Sequence, residues 1–168
     1  ESKGVILAEG SPEWITAEFA LLYAGAISVP LSIRLLSEEV PFRVNHSEAS
    51  VVFLSANTVG AVESVVEELE AEEMLFVVLD DDPGVKKRIE GVTKAYDRYR
   101  CRTFSELMEA GRGVDSAERS RVSAQETLAE EDHVVTISYT SGTTGSPKGI
   151  MLTHLNYYVN CRDSIEMF

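Results

Sequence analysis

The chain has 168 residues, enough for one core, and its 44% hydrophobic and 26% charged content is that of an ordinary globular protein. With 15 basic against 28 acidic residues the net charge is −13, which argues against a nucleic-acid partner and against adsorption to an anionic membrane surface.

Gly4 to Ala8 is a short apolar run that predicts a buried strand. A helix is expected at once: Ser11 as N-cap, Pro12 at the first helical position and Gly25 as the stop. Ile15, Phe19, Leu22 and Ala26 fall at helical spacing and predict its core face, so Phe19→Ala is expected to cost about 3 to 5 kcal/mol. Trp14 reads as a packing anchor. Ala26 to Leu31 predicts a second strand, ended by Pro30. The stretch from Trp14 to Leu31 is apolar enough to suggest a membrane span, but Glu18, Gly25 and Pro30 interrupt it, so no span is expected.

Ser37-Glu38-Glu39 is a helix start with acids favoured by the dipole, while Pro41 implies an irregular turn or a later beginning. Val51 to Leu54 predicts a strand, and Val59, Val62, Val66 and Leu69 one face of a helix. Glu63, Glu67, Glu68, Glu70, Glu72 and Glu73 form its solvated side. Met74 to Leu79 is a strand ending in Asp80-Asp81-Asp82-Pro83-Gly84; adjacent aspartates point apart and Pro-Gly turns the chain, so a turn is expected and not a metal site. Lys86 to Arg102, rich in Lys and Arg, reads as a solvated irregular connector.

Thr103 to Glu106 has capping-box spacing, with Gly111 as the stop, and Ser123 and Glu126 repeat that spacing. Arg112 to Ser120 reads as loop. Cys101 and Cys161 lack CxxC spacing and a nearby histidine, which predicts two cytosolic thiols and no zinc site or disulfide framework. After a buried strand over His133 to Tyr139 comes Tyr139-Thr140-Ser141-Gly142-Thr143-Thr144-Gly145-Ser146-Pro147-Lys148-Gly149. Such a stretch suits a polyphosphate: Gly142, Gly145 and Gly149 admit close backbone approach, Ser141, Thr143, Thr144 and Ser146 add hydroxyl donors, Pro147 stiffens the turn and Lys148 supplies a compact positive charge. It is not the Walker loop, which needs Gly-Lys-Ser/Thr, nor the Gly-x-Gly-x-x-Gly fingerprint. Ile150 to Leu152 predicts a strand and Thr153 caps a final helix whose Tyr158, Cys161, Ile165 and Phe168 are expected to face something buried. His154, in its first turn, reads as a neutral packing or hydrogen-bonding residue and not a catalytic base. Alternating strands and helices predict an α/β fold with a mostly parallel sheet and flanking helices.

The glycine- and hydroxyl-rich stretch resembles the signature of the adenylate-forming (AMP-binding) superfamily, which includes acyl-CoA synthetases, nonribosomal adenylation domains and luciferases. Val5-Ile6-Leu7-Ala8-Glu9, Ser11-Pro12-Glu13-Trp14, Ala24-Gly25-Ala26 and Val29-Pro30-Leu31 extend the likeness in the family's order. Val29-Pro30-Leu31-Ser32 and the phrase from Ser141 to His154 are most similar to long-chain fatty-acid and related acyl-CoA ligases; amino-acid-activating relatives usually carry further prolines where this chain has Ile33-Arg34-Leu35-Leu36. The resemblance implies that Thr140, Ser141, Gly142, Thr143, Thr144, Gly145 and Lys148 bind the phosphates of ATP with Mg2+, and that a carboxylic acid, as a fatty acid, is activated as its adenylate and passed to coenzyme A. Activation of an amino or aryl acid, or an inert nucleotide-binding or structural piece, are the alternatives. It further implies that residues 1–168 are a partial N-terminal AMP-binding domain, truncated just after the loop and its following helix. The family's magnesium, ribose and hinge motifs and its C-terminal lysine come later in sequence. No catalytic residue or metal ligand is therefore expected here, and the isolated chain is expected to be inactive, with exposed apolar surface and scope for homo-oligomers. Glu1 is not an initiator and no signal peptide precedes it, so the chain is expected to begin mid-protein and to be cytoplasmic.

Overall fold

The computed structural model describes residues 2–117, 119–120, 130–141 and 146–166. Seven strands, β1 (Lys3–Leu7), β2 (Ile27–Pro30), β3 (Val51–Leu54), β4 (Met74–Val78), β5 (Tyr99–Thr103), β6 (Val134–Thr140) and β7 (Lys148–Thr153), form one sheet in the order β5-β4-β3-β1-β2-β6-β7. All neighbours run parallel except β6 and β7. The six parallel strands therefore end at one edge of the sheet.

Helix α1 (Pro12–Tyr23) begins as the sequence predicts, with the Ser11 hydroxyl accepting from the Trp14 amide at 3.1 Å. It ends at Gly25, whose φ of 66° lets the Ala26 amide reach the Leu21 carbonyl at 2.8 Å. Pro41 does delay the next helix: a 3-10 turn over Ser37–Glu39 leads into α2 (Val40–Ser47), which holds the proline in its first turn. Val59, Val62, Val66 and Leu69 are all buried, as expected, although α3 (Val59–Glu63) and a 3-10 turn over Val66–Glu68 replace a single helix. The glutamates opposite them are on the outer side, and Glu63 pairs with Arg88 at 2.5 Å.

The three consecutive aspartates separate. Asp80 accepts from the Ala56 amide at 2.9 Å, Asp81 from the Ser105 amide at 2.8 Å, and Asp82 caps α4 (Pro83–Thr93) through the Gly84 amide at 2.7 Å. Each binds backbone of a different segment, so they hold loops together. Thr103 and Glu106 make the expected capping box on α5 (Phe104–Arg112), which runs through Gly111 and stops at Gly113.

Several expectations are corrected. Lys86 to Arg102 is ordered as α4 and β5, not a connector: Val85, Ile89 and Thr93 give α4 a buried face, and Tyr99 is buried on β5. The many basic side chains between them hide that period in the sequence. Between Arg112 and Ser120, residues Ser116, Ala117, Arg119 and Ser120 are helical. The Ser123 and Glu126 capping box lies outside the described residues. On α1 the sheet takes Ala17 and Leu21, with Trp14 packed beside them, while Phe19 is 54% exposed and Ile15 and Tyr23 are also exposed. This helix is apolar nearly all round, so two stripes fit the period, and the small Ala17 allows closer approach. Gly4 of β1 completes that contact, since a Cβ there would stand 2.7 Å from Leu21.

The last helix, α6 (His154–Glu166), has its expected cap, with the Asn156 amide donating to the Thr153 hydroxyl at 3.3 Å. It does not face something buried: Tyr158, Cys161 and Ile165 are exposed, and Phe168 lies outside the described residues. Tyr157 ties the helix to the sheet by donating to the Thr136 hydroxyl at 3.1 Å. His154 is exposed, without a side-chain hydrogen bond among the described residues. Cys101 and Cys161 are free thiols, and burial pushes Cys101 up to about 11, which leaves it unreactive. No described helix is long and apolar enough to cross a membrane.

Leu21→Ala should cost roughly 2 to 5 kcal/mol and Phe19→Ala less than about 1 kcal/mol, read as shifts of the urea midpoint at constant slope. Equal losses would mean that both stripes are packed. A second expectation concerns Glu18, whose carboxyl is raised by burial, against a hydrogen bond from the Ser28 hydroxyl. The folded state holds that proton more tightly, so its contribution is complete below the ordinary glutamate value of about 4.3 and is lost as pH rises through the raised folded value. Replacing Glu18 with Gln should flatten the stability curve in that window, measured by thermal denaturation against pH.

Candidate functional site

The hydroxyl- and glycine-rich stretch spans the mouth of the antiparallel hairpin that closes one side of the sheet. β6 and β7 are registered as Thr140 with Lys148, Tyr139 with Gly149 and Ser138 with Ile150. Because paired residues share a face, Thr140 and Lys148 stand side by side at the mouth. Both are exposed, as are Ser141 and Ser146, while Pro147 is partly covered. Gly142, Thr143, Thr144 and Gly145 lie outside the described residues. β6 ends at the same edge as β1 to β5, so the mouth sits where α/β proteins commonly place ligands, beyond the carboxyl ends of parallel strands.

Gly149 differs from its expected role. It lies within β7 with no positive φ, and a Cβ there would come within 2.9 Å of Ile137 and 3.5 Å of the Tyr139 ring. Its job is steric: it lets the stem of the hairpin pack against those two side chains. Sequence reasoning also passed over the group beneath that stem, formed by Tyr139 with Arg43 and His46 of α2. The Tyr139 hydroxyl lies 2.8 Å from Nδ1 of His46 and donates to the Arg43 carbonyl at 3.3 Å. Arg43 itself is buried, paired with Glu39 at 3.1 Å, and its guanidinium carbon lies 5.9 Å from the centre of the Tyr139 ring. The one signal in the sequence was an arginine between Val40 and Val44, on the side of the helix that should be apolar.

Two other polar groups lie apart from the mouth. At the end of β1, Glu9 accepts from the Ser55 hydroxyl at 2.6 Å, and that bond holds its carboxyl below the usual range. Thr58 then closes the gap between strands by donating to the Leu7 carbonyl at 2.6 Å. Glu130, Asp132 and His133 bring ligand atoms within 4.8 Å of one another, but they are exposed and precede β6, at the opposite edge of the sheet from the mouth. The segment from Thr140 to Gly149 contains no carboxylate, so the described mouth offers hydroxyls and one ammonium and no acidic metal ligand.

A family model described as AMP-binding enzyme matches residues 1–167. The chain is 29% identical over 160 residues to 4-hydroxybutyrate--CoA ligase 2 of Metallosphaera sedula, with 95% of this chain and 26% of the relative covered. It is 30% identical over 153 residues to the peroxisomal long chain acyl-CoA synthetase 6 of Arabidopsis thaliana, with 91% of this chain and 20% of the relative covered. The chain thus spans about a quarter or less of the curated relatives it matches. Among solved structures it is similar in fold to an anthranilate CoA ligase in complex with anthranoyl-AMP, with a TM-score of 0.70, 22% identity, and 96% of this chain and 26% of that one covered.

Gly149→Ala should destabilise the hairpin by roughly 1 to 3 kcal/mol, because the added methyl must push Ile137 aside. The check is the denaturation midpoint together with the near-ultraviolet signal of Tyr139. An unchanged midpoint would show that the stem yields without cost.

Proposed function

This chain belongs to the AMP-binding enzyme family, and on that premise we propose that it is the N-terminal part of an AMP-forming acid–thiol ligase acting on a fatty acid. The observation that carries the reading is the position of the family's hydroxyl- and glycine-rich stretch. It sits at the mouth between β6 and β7, with Thr140, Ser141, Ser146 and Lys148 exposed. In this reading Thr140, Ser141, Gly142, Thr143, Thr144, Gly145 and Lys148 hold the β- and γ-phosphates of ATP. Lys148 supplies a positive charge at that point.

The reaction follows from what such a grip can do. A substrate carboxylate oxygen attacks the α-phosphorus, the bond from that phosphorus to the bridging oxygen of the β-phosphate breaks, and pyrophosphate leaves from the mouth. Donors fixed on the β- and γ-oxygens stabilise the charge that builds on the leaving group. A bound Mg2+ would neutralise phosphate oxygens; the mouth would meet it only through hydroxyls, since it lacks carboxylates. The thiol of coenzyme A, losing its proton, would then attack the acyl carbon of the adenylate; the bond from that carbon to the phosphate oxygen breaks and AMP leaves. Two kinds of support favour an acyl-CoA ligase: the curated relatives with CoA-ligase names, and the Val29-Pro30-Leu31-Ser32 segment without further prolines. A cytoplasmic location and self-association through exposed apolar faces belong to the same proposal.

Because the chain spans so small a share of its relatives, we also propose that it is inert alone. In the complete ligase, Lys148→Ala should slow pyrophosphate exchange by on the order of a hundredfold, while stability moves by no more than about 0.5 kcal/mol. A wild-type exchange rate would overturn the phosphate assignment. Acyl-CoA formed by the purified 168-residue chain from ATP, magnesium, a fatty acid and coenzyme A would overturn the proposal that it is only a part.

A further inference from the structure

The hairpin that carries the loop joins the sheet through β6, whose Val135, Thr136 and Ile137 are buried against its neighbours, while its far end runs on past β2. β2 and β6 share a single registered pair, Ser28 with Thr136, and β2 ends at Pro30, which has no N–H to extend the ladder. Beyond that pair, Ser138, Tyr139 and Thr140 are registered with β7 alone. The overhang is nevertheless held, and by a side chain: Tyr139 reaches α2.

That connection is specific. The Tyr139 hydroxyl can donate one proton, and two acceptors compete for it unless His46 donates. With the proton on Nδ1 both contacts are satisfied, His46 donating to the Tyr139 oxygen at 2.8 Å and Tyr139 donating to the Arg43 carbonyl at 3.3 Å. Each partner is fixed in turn. Phe42 stacks on the His46 ring at 5.3 Å and 19°. Arg43 is pinned by the Glu39 carbonyl at 2.8 Å and its carboxylate at 3.1 Å. Asn45, on the same helix, holds the Glu68 carbonyl at 2.8 Å and the Glu70 amide at 3.0 Å. α2 is therefore a fixed post, and Tyr139 stands two residues before Ser141 and directly opposite Gly149.

We propose that His46 and Arg43 are positioning residues for the phosphate site: acting through Tyr139, α2 sets the pitch of the hairpin stem and so the direction in which Thr140, Ser141 and Lys148 meet a triphosphate. This rests on reading the loop as the ATP phosphate site. Neither residue touches the ligand; both decide where the donors stand when it arrives.

The test uses the wild-type chain and Tyr139→Phe, His46→Leu and His46→Asn, the last placing an amide nitrogen near the position of Nδ1. Magnesium ATP affinity is measured by calorimetry, stability by thermal denaturation, and amide exchange by NMR. Tyr139→Phe and His46→Leu should weaken binding by about five- to tenfold with the melting temperature within about 2 °C of wild type, and His46→Asn should restore affinity to within about twofold. Wild-type affinity in both Tyr139→Phe and His46→Leu would overturn the proposal, as would a loss that His46→Asn fails to rescue. If the wild-type chain alone binds no magnesium ATP, the affinities are read in the complete ligase, where failure of the wild type to bind falls on the phosphate-site reading, and exchange decides this one. Tyr139→Phe must then speed exchange across the β6–β7 pairs while β1 and β3 stay protected; an unchanged stem would overturn it.

Discussion

Everything in this fold hangs on the central strand. β1 is flanked by β2 on one side and β3 on the other, both parallel, so its backbone donors and acceptors are taken up on two edges and its side chains must be covered on two faces. Val5 and Ile6 have no exposed surface at all. Covering both faces requires helices on both: α1 and α5 pack over the set that includes Ile6, Phe53 and Val77, and α2, α3 and α4 over Val5, Leu7, Val52 and Phe76. Where the chain leaves β1 it turns to one face, and where it leaves β3 it turns to the other. That divergence opens the sheet's carboxyl edge and gives the loops there room to differ.

Much of this was legible. Continuous apolar strands such as Met74-Leu75-Phe76-Val77-Val78 can only be buried on two faces, which is the mark of a parallel sheet. Caps were legible too, because Ser11 and Thr103 offer side-chain oxygens at the start of helical periods and each is found accepting from the expected amides, whereas Asp82, read only as part of a turn, caps α4. What misled was ambiguity of period. α1 carries two apolar stripes, and the sequence could not say that Gly4 would let the sheet take the one with Ala17 and Leu21. On α4 the opposite happened, since Lys86, Lys87 and Arg88 outweigh a buried face of only Val85, Ile89 and Thr93.

The candidate site was legible as composition and illegible as geometry. Hydroxyls, glycines and a lysine are what the sequence offers toward a phosphate whatever strands flank them, and Thr140, Ser141, Ser146 and Lys148 are exposed. The steric duty of Gly149 depends on which side chains the hairpin register sets beside it, and the tie from Tyr139 to α2 on residues separated by 93 and 96 positions, which no local pattern reveals. A histidine and an arginine in an amphipathic helix look like surface residues until the third dimension supplies their partner.

The sheet order carries one more consequence, for the order of assembly. β1 to β5 are joined by successive short crossovers, so each new strand meets the strand just made or, for β3, the one before it. β6 must instead find β2, roughly a hundred residues back along the chain. Loop closure on that scale is paid in chain entropy before any contact returns it. The five-strand body should thus be the kinetic nucleus, with the β6–β7 hairpin docking last and detaching first. The hairpin that carries the candidate site is then the last part of the sheet to assemble, and anything bound only to its docked form would act as a late clasp on the folded state.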